Sequence, residues 1–299
     1  MKPYTSIRRN SVRAWLLASR PKTLSGAAMP VLVALALAFA DSGMLRWIPA
    51  VLCLLFALTM QVLANFVNDY FDFLDGTDDA HRLGPRRACA QGWVSARAMR
   101  WAIAFVALLA SAVGLPLIVY GGWSMLAIGA GCMALCFFYT LGGARHALGD
   151  VLVLLGFGII PVCVSYLLQT NSLPLHTLLF SIACGLVVDT LLVVNNYRDY
   201  PTDRRCGKRT LVVRIGLQWS ERLYLTLPLL AWGCTAGHCI SHQRWCTLTL
   251  PLLYLLMHIA TYHRMKKIGS GKALNSILGE NSRNMLVYGI TIIAGLLID

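Results

Sequence analysis

Long apolar runs recur along the whole chain and restrict its fold more than any other feature of the sequence. A helix needs about 20 mostly apolar residues to cross the ~30 Å hydrocarbon core of a bilayer. The runs predict nine membrane-spanning helices, at residues 24–40, 47–67, 98–118, 123–141, 150–169, 176–196, 219–237, 246–262 and 284–298. We therefore expect an all-α integral membrane protein, a single polytopic domain over residues 1–299.

The charge balance agrees with a membrane protein. Only 13% of the residues are charged, whereas soluble domains carry about 25%. Lys and Arg number 26 and Asp and Glu 13, which gives a net charge of +13. In a soluble protein this excess would suggest nucleic acid, but basic residues also accumulate in the cytoplasmic loops of membrane proteins. We expect the lipid bilayer as a partner and no nucleic acid.

The basic residues are concentrated in alternate connections between the spans. Residues 68–97, 142–149, 197–218 and 263–283 hold most of the Arg and Lys, and the connections between them carry few charges. The positive-inside rule then places the N-terminus and these basic loops in the cytosol. Nine crossings place the C-terminus outside. The expected location is the inner (cytoplasmic) membrane, with a site that faces the cytosol.

The acidic residues are concentrated in two of these connections, which hold seven of the thirteen: Asp69, Asp72, Asp75, Asp78, Asp79, Asp199 and Asp203. In the first acidic cluster (residues 65–79), Asn65, Asn68 and Asp72 form one polar stripe on a helix, with Asp69 beside it. Carboxylates this close repel unless a cation neutralises them. An all-oxygen set of carboxylates and amides suits Mg²⁺.

The second acidic cluster (residues 195–211) mixes acids with bases. Asn195 and Asp199 repeat the spacing of Asn68 and Asp72, 127 residues later in the chain. Such a mixture can bind a metal–diphosphate complex, because the acids hold the metal and the bases hold the remaining oxygens. Its members are Asn195, Arg198, Asp199, Asp203, Lys208 and Arg209. Solvated acidic loops with local salt bridges are the alternative for both clusters.

Two such clusters at a membrane surface predict a substrate with a diphosphate head and a lipid tail. The segments 20–24, 68–72 with Asp78, 82–88, 139–140, 148–150 and 195–211 together resemble the UbiA superfamily of intramembrane aromatic prenyltransferases. Within that superfamily they are most similar to the MenA-type 1,4-dihydroxy-2-naphthoate polyprenyltransferases. The resemblance implies nine helices around a central cavity. It also implies that a prenyl group replaces the acceptor's carboxylate, with release of CO₂ and diphosphate, to give demethylmenaquinone in menaquinone biosynthesis.

The resemblance also implies roles for individual residues. Asp72, Asp199 and Asp203 are the expected catalytic residues. The expected Mg²⁺ ligands are Asn68, Asp72, Asp78, Asn195, Asp199 and Asp203. The expected substrate-binding residues are Lys22, Asn65, Asp69, Arg82, Tyr139, Arg145, Asp150, Arg198, Lys208 and Arg209.

Two alternatives stay open on the sequence alone. A related enzyme could use another aromatic acceptor, such as 4-hydroxybenzoate, homogentisate or a haem precursor. A cation-coupled transporter would place acidic residues near the membrane midplane. Only Asp189 lies well inside a predicted span, so the distribution of acids favours the enzyme. Asp150 could act in the site or cap a helix, and Asp189 could be functional or structural.

Overall fold

Every regular element in the described part of the chain is helical. The computed structural model describes residues 7–76, 83–142 and 147–299. Within them, nine helices are long and apolar enough to cross a membrane, which confirms the predicted number and the all-α class. The nine are α2 (Pro21–Ser42), α3 (Trp47–Leu74), α4 (Ala96–Gly121), α5 (Ser124–Leu141), α6 (Gly149–Thr170), α7 (Leu175–Arg205), α8 (Leu217–Ser241), α9 (Trp245–Ile268) and α10 (Leu274–Ile298). The orientation of the termini stays a prediction.

Helices α3 and α7 are longer than the predicted spans. They have 28 and 31 residues, and at 1.5 Å per residue each exceeds about 40 Å. The hydrocarbon core is only ~30 Å thick, so the polar ends project beyond it. Helix α7 continues through Pro201 to its end. Both acidic clusters are therefore carried largely by helix ends, where side-chain positions are more fixed than in a loop.

A short helix, α1 (Val12–Ser19), precedes the first membrane helix and was not predicted. Ser11 caps it by accepting a hydrogen bond from the N–H of Ala14. Its outer face leaves Val12 and Leu16 exposed, and its inner face contacts α3, where the rings of Trp15 and Phe66 lie 5.6 Å apart. Such a helix suits the membrane surface. It fixes the start of α2 against α3.

Small residues bring α6 and α7 into close contact. A Cβ atom added to Gly158 would lie 2.5 Å from the carbonyl oxygen of Ser181, and one added to Gly185 would lie 2.5 Å from Leu154 Cδ1. Membrane helices commonly approach through such small residues. Gly158 lies in a π-helical stretch of α6, Leu155–Ile159. Helix α6 carries Asp150 and α7 carries Asp189, and this contact holds the two helices close to each other.

The end of the bundle away from the acidic clusters is joined by one carboxylate. Asp41, near the end of α2, accepts hydrogen bonds from Tyr166 (2.8 Å) and His176 (2.8 Å) and forms an ion pair with Arg244 (2.6 Å). The three partners come from α6, α7 and the α8–α9 connection. Elsewhere, buried residues of α2 and α10 share one apolar cluster. These contacts support the expected single domain, which stays a prediction.

Candidate functional site

Asn68 and Asp72 occupy the polar end of α3. Asn68 is half-buried, and its Oδ1 atom accepts a hydrogen bond of 2.8 Å from the hydroxyl of Thr140 on α5. Asp72 lies one turn later and forms an ion pair of 2.5 Å with Arg87. The Asp72 side chain remains partly accessible, whereas that of Arg87 is nearly buried. A cationic group therefore already stands beside the first predicted metal carboxylate.

Asp69 places Arg87 in that position. It is 1% exposed, and its two carboxylate oxygens accept the backbone N–H groups of Ala88 and Cys89, both at 2.8 Å. These bonds fold the loop after α3 back onto the helix, and Arg87 precedes the anchored pair. The carboxylate is committed to the protein backbone. Asp69 thus positions the segment that carries Arg87, and its expected contact with substrate stays a prediction.

Asn65 is also committed within the protein. It is 3% exposed, and its Nδ2 atom donates to the carbonyl oxygen of Ser19 and to Thr23 Oγ1, each at 2.9 Å. These bonds join α3 to the α1–α2 corner. The geometry gives Asn65 a structural role, because its Nδ2 group is used within the protein, and its expected contact with substrate stays a prediction. Sequence spacing had placed Asn65 on the stripe without showing what it faces.

Arg198 dominates the second acidic cluster. Its buried guanidinium group donates to both carboxylate oxygens of Asp199, from Nε at 2.8 Å and from NH2 at 2.6 Å. Asp203 lies one turn later, largely buried, with Lys208 Nζ at 3.5 Å from its carboxylate. Cations and carboxylates therefore alternate along this helix end, as predicted.

Asn275, on α10, links the two clusters and was not predicted. Its Oδ1 atom accepts from Arg198 NH1 at 2.8 Å, and its Nδ2 atom donates to the carbonyl oxygen of Leu83 at 2.8 Å. Leu83 belongs to the loop that follows the first cluster. One amide thus ties the arginine of the second cluster to the loop of the first.

Tyr139 lies between the first cluster and an acidic pair in the interior. Its hydroxyl group is within electrostatic reach of Asp72, Asp150 and Asp189. Asp150 begins α6, and Asp189 on α7 is 6% exposed. Each of these two has a buried Oδ1 atom that finds no hydrogen-bond partner among the described residues. The predicted Tyr139 therefore lies within reach of both the predicted Asp72 and the predicted Asp150.

The remaining predicted site residues are either exposed or outside the part of the chain that the structure describes. Lys22 and Arg209 are exposed, and Asn195 is exposed on α7 one turn before Asp199. Asp78, Arg82 and Arg145 lie outside the described residues.

A cavity of about 500 Å³ extends from Asn68 into the bundle. Its walls come from α2, α3, α4, α5 and α6, so the cavity lies in the first half of the bundle. Apart from Asn68, Tyr139, Gln61 and two serines, Ser111 and Ser165, the lining is almost wholly apolar. Such a space can accept a hydrocarbon chain whose polar head stays near Asn68 and Asp72.

The donor set fits a hard cation only together with a phosphate ligand. Among the described residues, no three His, Cys, Asp or Glu side chains are close enough to hold a metal by themselves. The available donors are carboxylate and amide oxygens. Mg²⁺ is typically held by one or two carboxylates together with substrate phosphates. The residues of the two clusters fit that pattern.

The fold and site define an intramembrane enzyme with two acidic, arginine-paired clusters at helix ends, the first of them at one end of an apolar cavity. The sequence model of the UbiA prenyltransferase family matches residues 27–279. The chain therefore belongs to the UbiA prenyltransferase family, which confirms the predicted resemblance and excludes the transporter. It is a prenyltransferase.

Two relatives are similar over most of their length. The 1,4-dihydroxy-2-naphthoate octaprenyltransferase of Haemophilus influenzae is 32% identical over 305 residues, which covers 96% of each chain. The enzyme of the same name from Escherichia coli is 33% identical over 261 residues, which covers 84% of each chain.

Solved structures share the fold. The apo structure of a UbiA homolog from Aeropyrum pernix K1 has a TM-score of 0.68 and 18% identity, and the match covers 91% of this chain and 97% of that one. A UbiA homolog from Archaeoglobus fulgidus bound to GPP and Mg²⁺ has a TM-score of 0.65 and 15% identity, with 94% and 99% covered.

Proposed function

We propose that this prenyltransferase transfers a polyprenyl group from polyprenyl diphosphate to 1,4-dihydroxy-2-naphthoate and so forms the hydroquinone form of demethylmenaquinone, which becomes the quinone on later oxidation outside this reaction. The names of the relatives from H. influenzae and E. coli support this acceptor. The observation that carries the proposal is the pair of arginine-bound carboxylates, Asp72 with Arg87 one turn beyond the cavity residue Asn68, and Asp199 with Arg198, which Asn275 ties to the segment at Leu83.

The clusters bind the diphosphate head. Bound Mg²⁺ would neutralise the negative charge that develops on the departing diphosphate. Its ligands in this chain would be Asn68, Asp72, Asn195, Asp199 and Asp203, with Asp78 also expected. With the cation bound to these carboxylates, the guanidinium groups of Arg87 and Arg198 would be available to donate to the diphosphate oxygens. The solved UbiA homolog bound to GPP and Mg²⁺ supports the use of Mg²⁺ with an allylic diphosphate.

The bonds and electrons of the reaction balance without an outside reagent. The C–O bond to diphosphate breaks, its electron pair leaves with the diphosphate, and an allylic cation remains. A ring carbon of the acceptor supplies the pair that forms the new C–C bond. The bond to the carboxylate then breaks, CO₂ leaves, and that pair returns to the aromatic ring. The apolar walls of the cavity exclude water, which would otherwise trap the cation.

The reaction is expected at the cytosolic face of the inner membrane. The basic connections carry both acidic clusters, and the positive-inside rule places those connections in the cytosol. The polyprenyl tail would then lie at bilayer depth, and the soluble acceptor would arrive from the cytosol.

A side-by-side acceptor assay tests the proposed function. Purified protein in detergent is given one polyprenyl diphosphate, Mg²⁺ and, in separate reactions, 1,4-dihydroxy-2-naphthoate, 4-hydroxybenzoate or homogentisate. We expect a prenylated product from the naphthoate at a rate at least about 100-fold above the others, because pocket groups that pair with hydroxyls in the naphthoate's positions are left unpaired by acceptors whose hydroxyls lie elsewhere. A product from another acceptor alone would reassign the substrate.

A further inference from the structure

Gln61 is a buried amide in the wall of an otherwise apolar part of the cavity. It lies on α3, two turns before Asn68 and on the same face, and it is 9% exposed. Seven residues at 1.5 Å each place it about 10 Å deeper in the bilayer than Asn68. If the diphosphate lies at Asn68 and Asp72, as the proposed function has it, this depth falls to the first carbons of the prenyl chain and to the acceptor ring.

The neighbours of Gln61 fix the direction in which its amide points. Thr23 uses its hydroxyl proton on the carbonyl oxygen of Arg20 at 2.9 Å, so Thr23 Oγ1 can only accept from other groups. Gln61 Nε2 donates to this oxygen at 3.2 Å and to Asn65 Oδ1 at 3.4 Å. Asn65 cannot reverse, because its Nδ2 atom donates to Ser19 and Thr23. The amino group of Gln61 is therefore bound to the α1–α2 corner.

The carbonyl oxygen of Gln61 is left on the other side of the amide. This Oε1 atom is buried and has no hydrogen-bond partner among the described residues. Buried acceptors are almost always paired, and an orphan in a cavity wall needs a donor from a ligand or a water molecule. Thr23 and Asn65 hold the amide in this orientation, so the unpaired Oε1 atom has a fixed position in the wall.

The chemistry of the two substrates decides which of them can supply the donor. A polyprenyl chain has no N–H or O–H group, and the diphosphate oxygens accept hydrogen bonds. The acceptor carries two hydroxyl groups. The 1-hydroxyl lies next to the carboxylate and bonds to it internally, so the 4-hydroxyl is the available donor.

We propose that Gln61 Oε1 accepts a hydrogen bond from the 4-hydroxyl group of the naphthoate acceptor and thereby selects for it. This role rests on the proposed function, since it assumes that acceptor. It makes Gln61 a specificity-determining residue, and Asn65 and Thr23 the residues that orient it. A site that bonds a substrate hydroxyl discriminates strongly against an analogue without it.

The test compares 1,4-dihydroxy-2-naphthoate with 1-hydroxy-2-naphthoate, which lacks only the 4-hydroxyl. For each enzyme, the readout is kcat/KM for the dihydroxynaphthoate divided by kcat/KM for the monohydroxynaphthoate. The two rings differ in intrinsic reactivity, but this difference cancels when the ratio of Gln61→Met is compared with that of the wild type. We expect the ratio to fall about 10-fold in Gln61→Met, the equivalent of one hydrogen bond, while KM for polyprenyl diphosphate is unchanged. An unchanged ratio would overturn the proposal and would indicate that Gln61 Oε1 pairs with water instead of the acceptor.

Two further variants complete the test. Gln61→Glu, kept neutral by its burial, can donate its O–H to Thr23 Oγ1 and keep a carbonyl oxygen in the place of Oε1, so it should preserve the preference to within about threefold. If Gln61→Met does not fold, loss of the preference in Gln61→Glu overturns the proposal by itself. The matched control is Gln169→Leu, which removes a buried glutamine that is paired with the backbone of Arg46, and its ratio should equal that of the wild type. If the wild type itself makes no product from the dihydroxynaphthoate, the proposed function fails, which is a separate result.

Discussion

Arg198 donates to both carboxylate oxygens of Asp199, at 2.8 and 2.6 Å, although the two residues are adjacent in the sequence. Arg87 forms the corresponding contact with Asp72 at the other cluster. Each cluster therefore presents a carboxylate and a guanidinium group at one point. The proposed mechanism uses both, because the carboxylate binds the cation and the guanidinium group donates to the diphosphate.

Arg198→Lys should weaken binding of the diphosphate substrate. A lysine keeps the charge but cannot make the two parallel bonds of a guanidinium group. We expect KM for polyprenyl diphosphate to rise about 10-fold, with little change in KM for the acceptor, because hydrogen bonds to charged groups contribute about 1.5–3 kcal/mol. The control is Arg264→Lys, since the Arg264 side chain is exposed and a lysine can keep its ion pair with Glu280, so this change should matter little. Equal effects of the two variants would contradict a diphosphate contact by Arg198.

Asp72→Asn and Asp199→Asn should each reduce kcat at least about 100-fold, because they remove a charge that holds the cation. The amide keeps the size of the side chain, so packing is little changed. Titration of turnover with Mg²⁺ should show that both variants need more metal than the wild type. Asp75→Asn, at the exposed end of α3, is the control. Either variant with more than about a tenth of normal activity removes that residue from the metal site.

Asn275 should act by positioning Arg198 and the loop at Leu83. Asn275→Asp keeps an acceptor for Arg198 but loses the donor to Leu83, whereas Asn275→Ala loses both contacts. We expect kcat/KM for polyprenyl diphosphate to fall about 10-fold in Asn275→Ala and less in Asn275→Asp. The acceptor preference should not change in either variant. If the role of Asn275 were purely structural, both variants would have lower thermal stability, and their values of kcat/KM for polyprenyl diphosphate would not differ in this order.

Asp41 should contribute to stability and not to the reaction. Asp41→Ala leaves Tyr166, His176 and Arg244 without their shared partner at the far end of the bundle. The expected loss is about 2 kcal/mol of the free energy of unfolding, seen as a lower thermal midpoint in detergent. KM for both substrates should stay at the wild-type value in the folded enzyme. A changed substrate preference would show that this end of the bundle communicates with the site.

The nine membrane helices could be predicted because hydropathy and length decide them almost alone. The helix ends could not be predicted in this way, because hydropathy marks only the apolar part of a helix. Helices α3 and α7 continue as polar helices for seven to nine residues beyond the predicted spans, which ended at 67 and 196. The first residues of α10 were placed in a loop for the same reason. That is why Asn275 was missed, since its partners come from distant parts of the chain.

The stripe on α3 shows what spacing can and cannot reveal. Asn65, Asn68 and Asp72 share a face of the helix, but only the packing shows that Asn65 turns to the α1–α2 corner and Asn68 to the cavity. Gln61 extends the same stripe by one turn, since it lies one turn before Asn65. It could have been found as a lone amide within an apolar run, since a polar group at bilayer depth needs a partner.

The most direct test of the whole account is the balance of products. Purified enzyme is given polyprenyl diphosphate and 1,4-dihydroxy-2-naphthoate labelled in its carboxyl carbon, and labelled CO₂ and diphosphate are measured together. The account predicts equal amounts of the two, formed only with Mg²⁺ and lost in Asp72→Asn and Asp199→Asn. Diphosphate released without labelled CO₂, or equal turnover after removal of Mg²⁺, would contradict it.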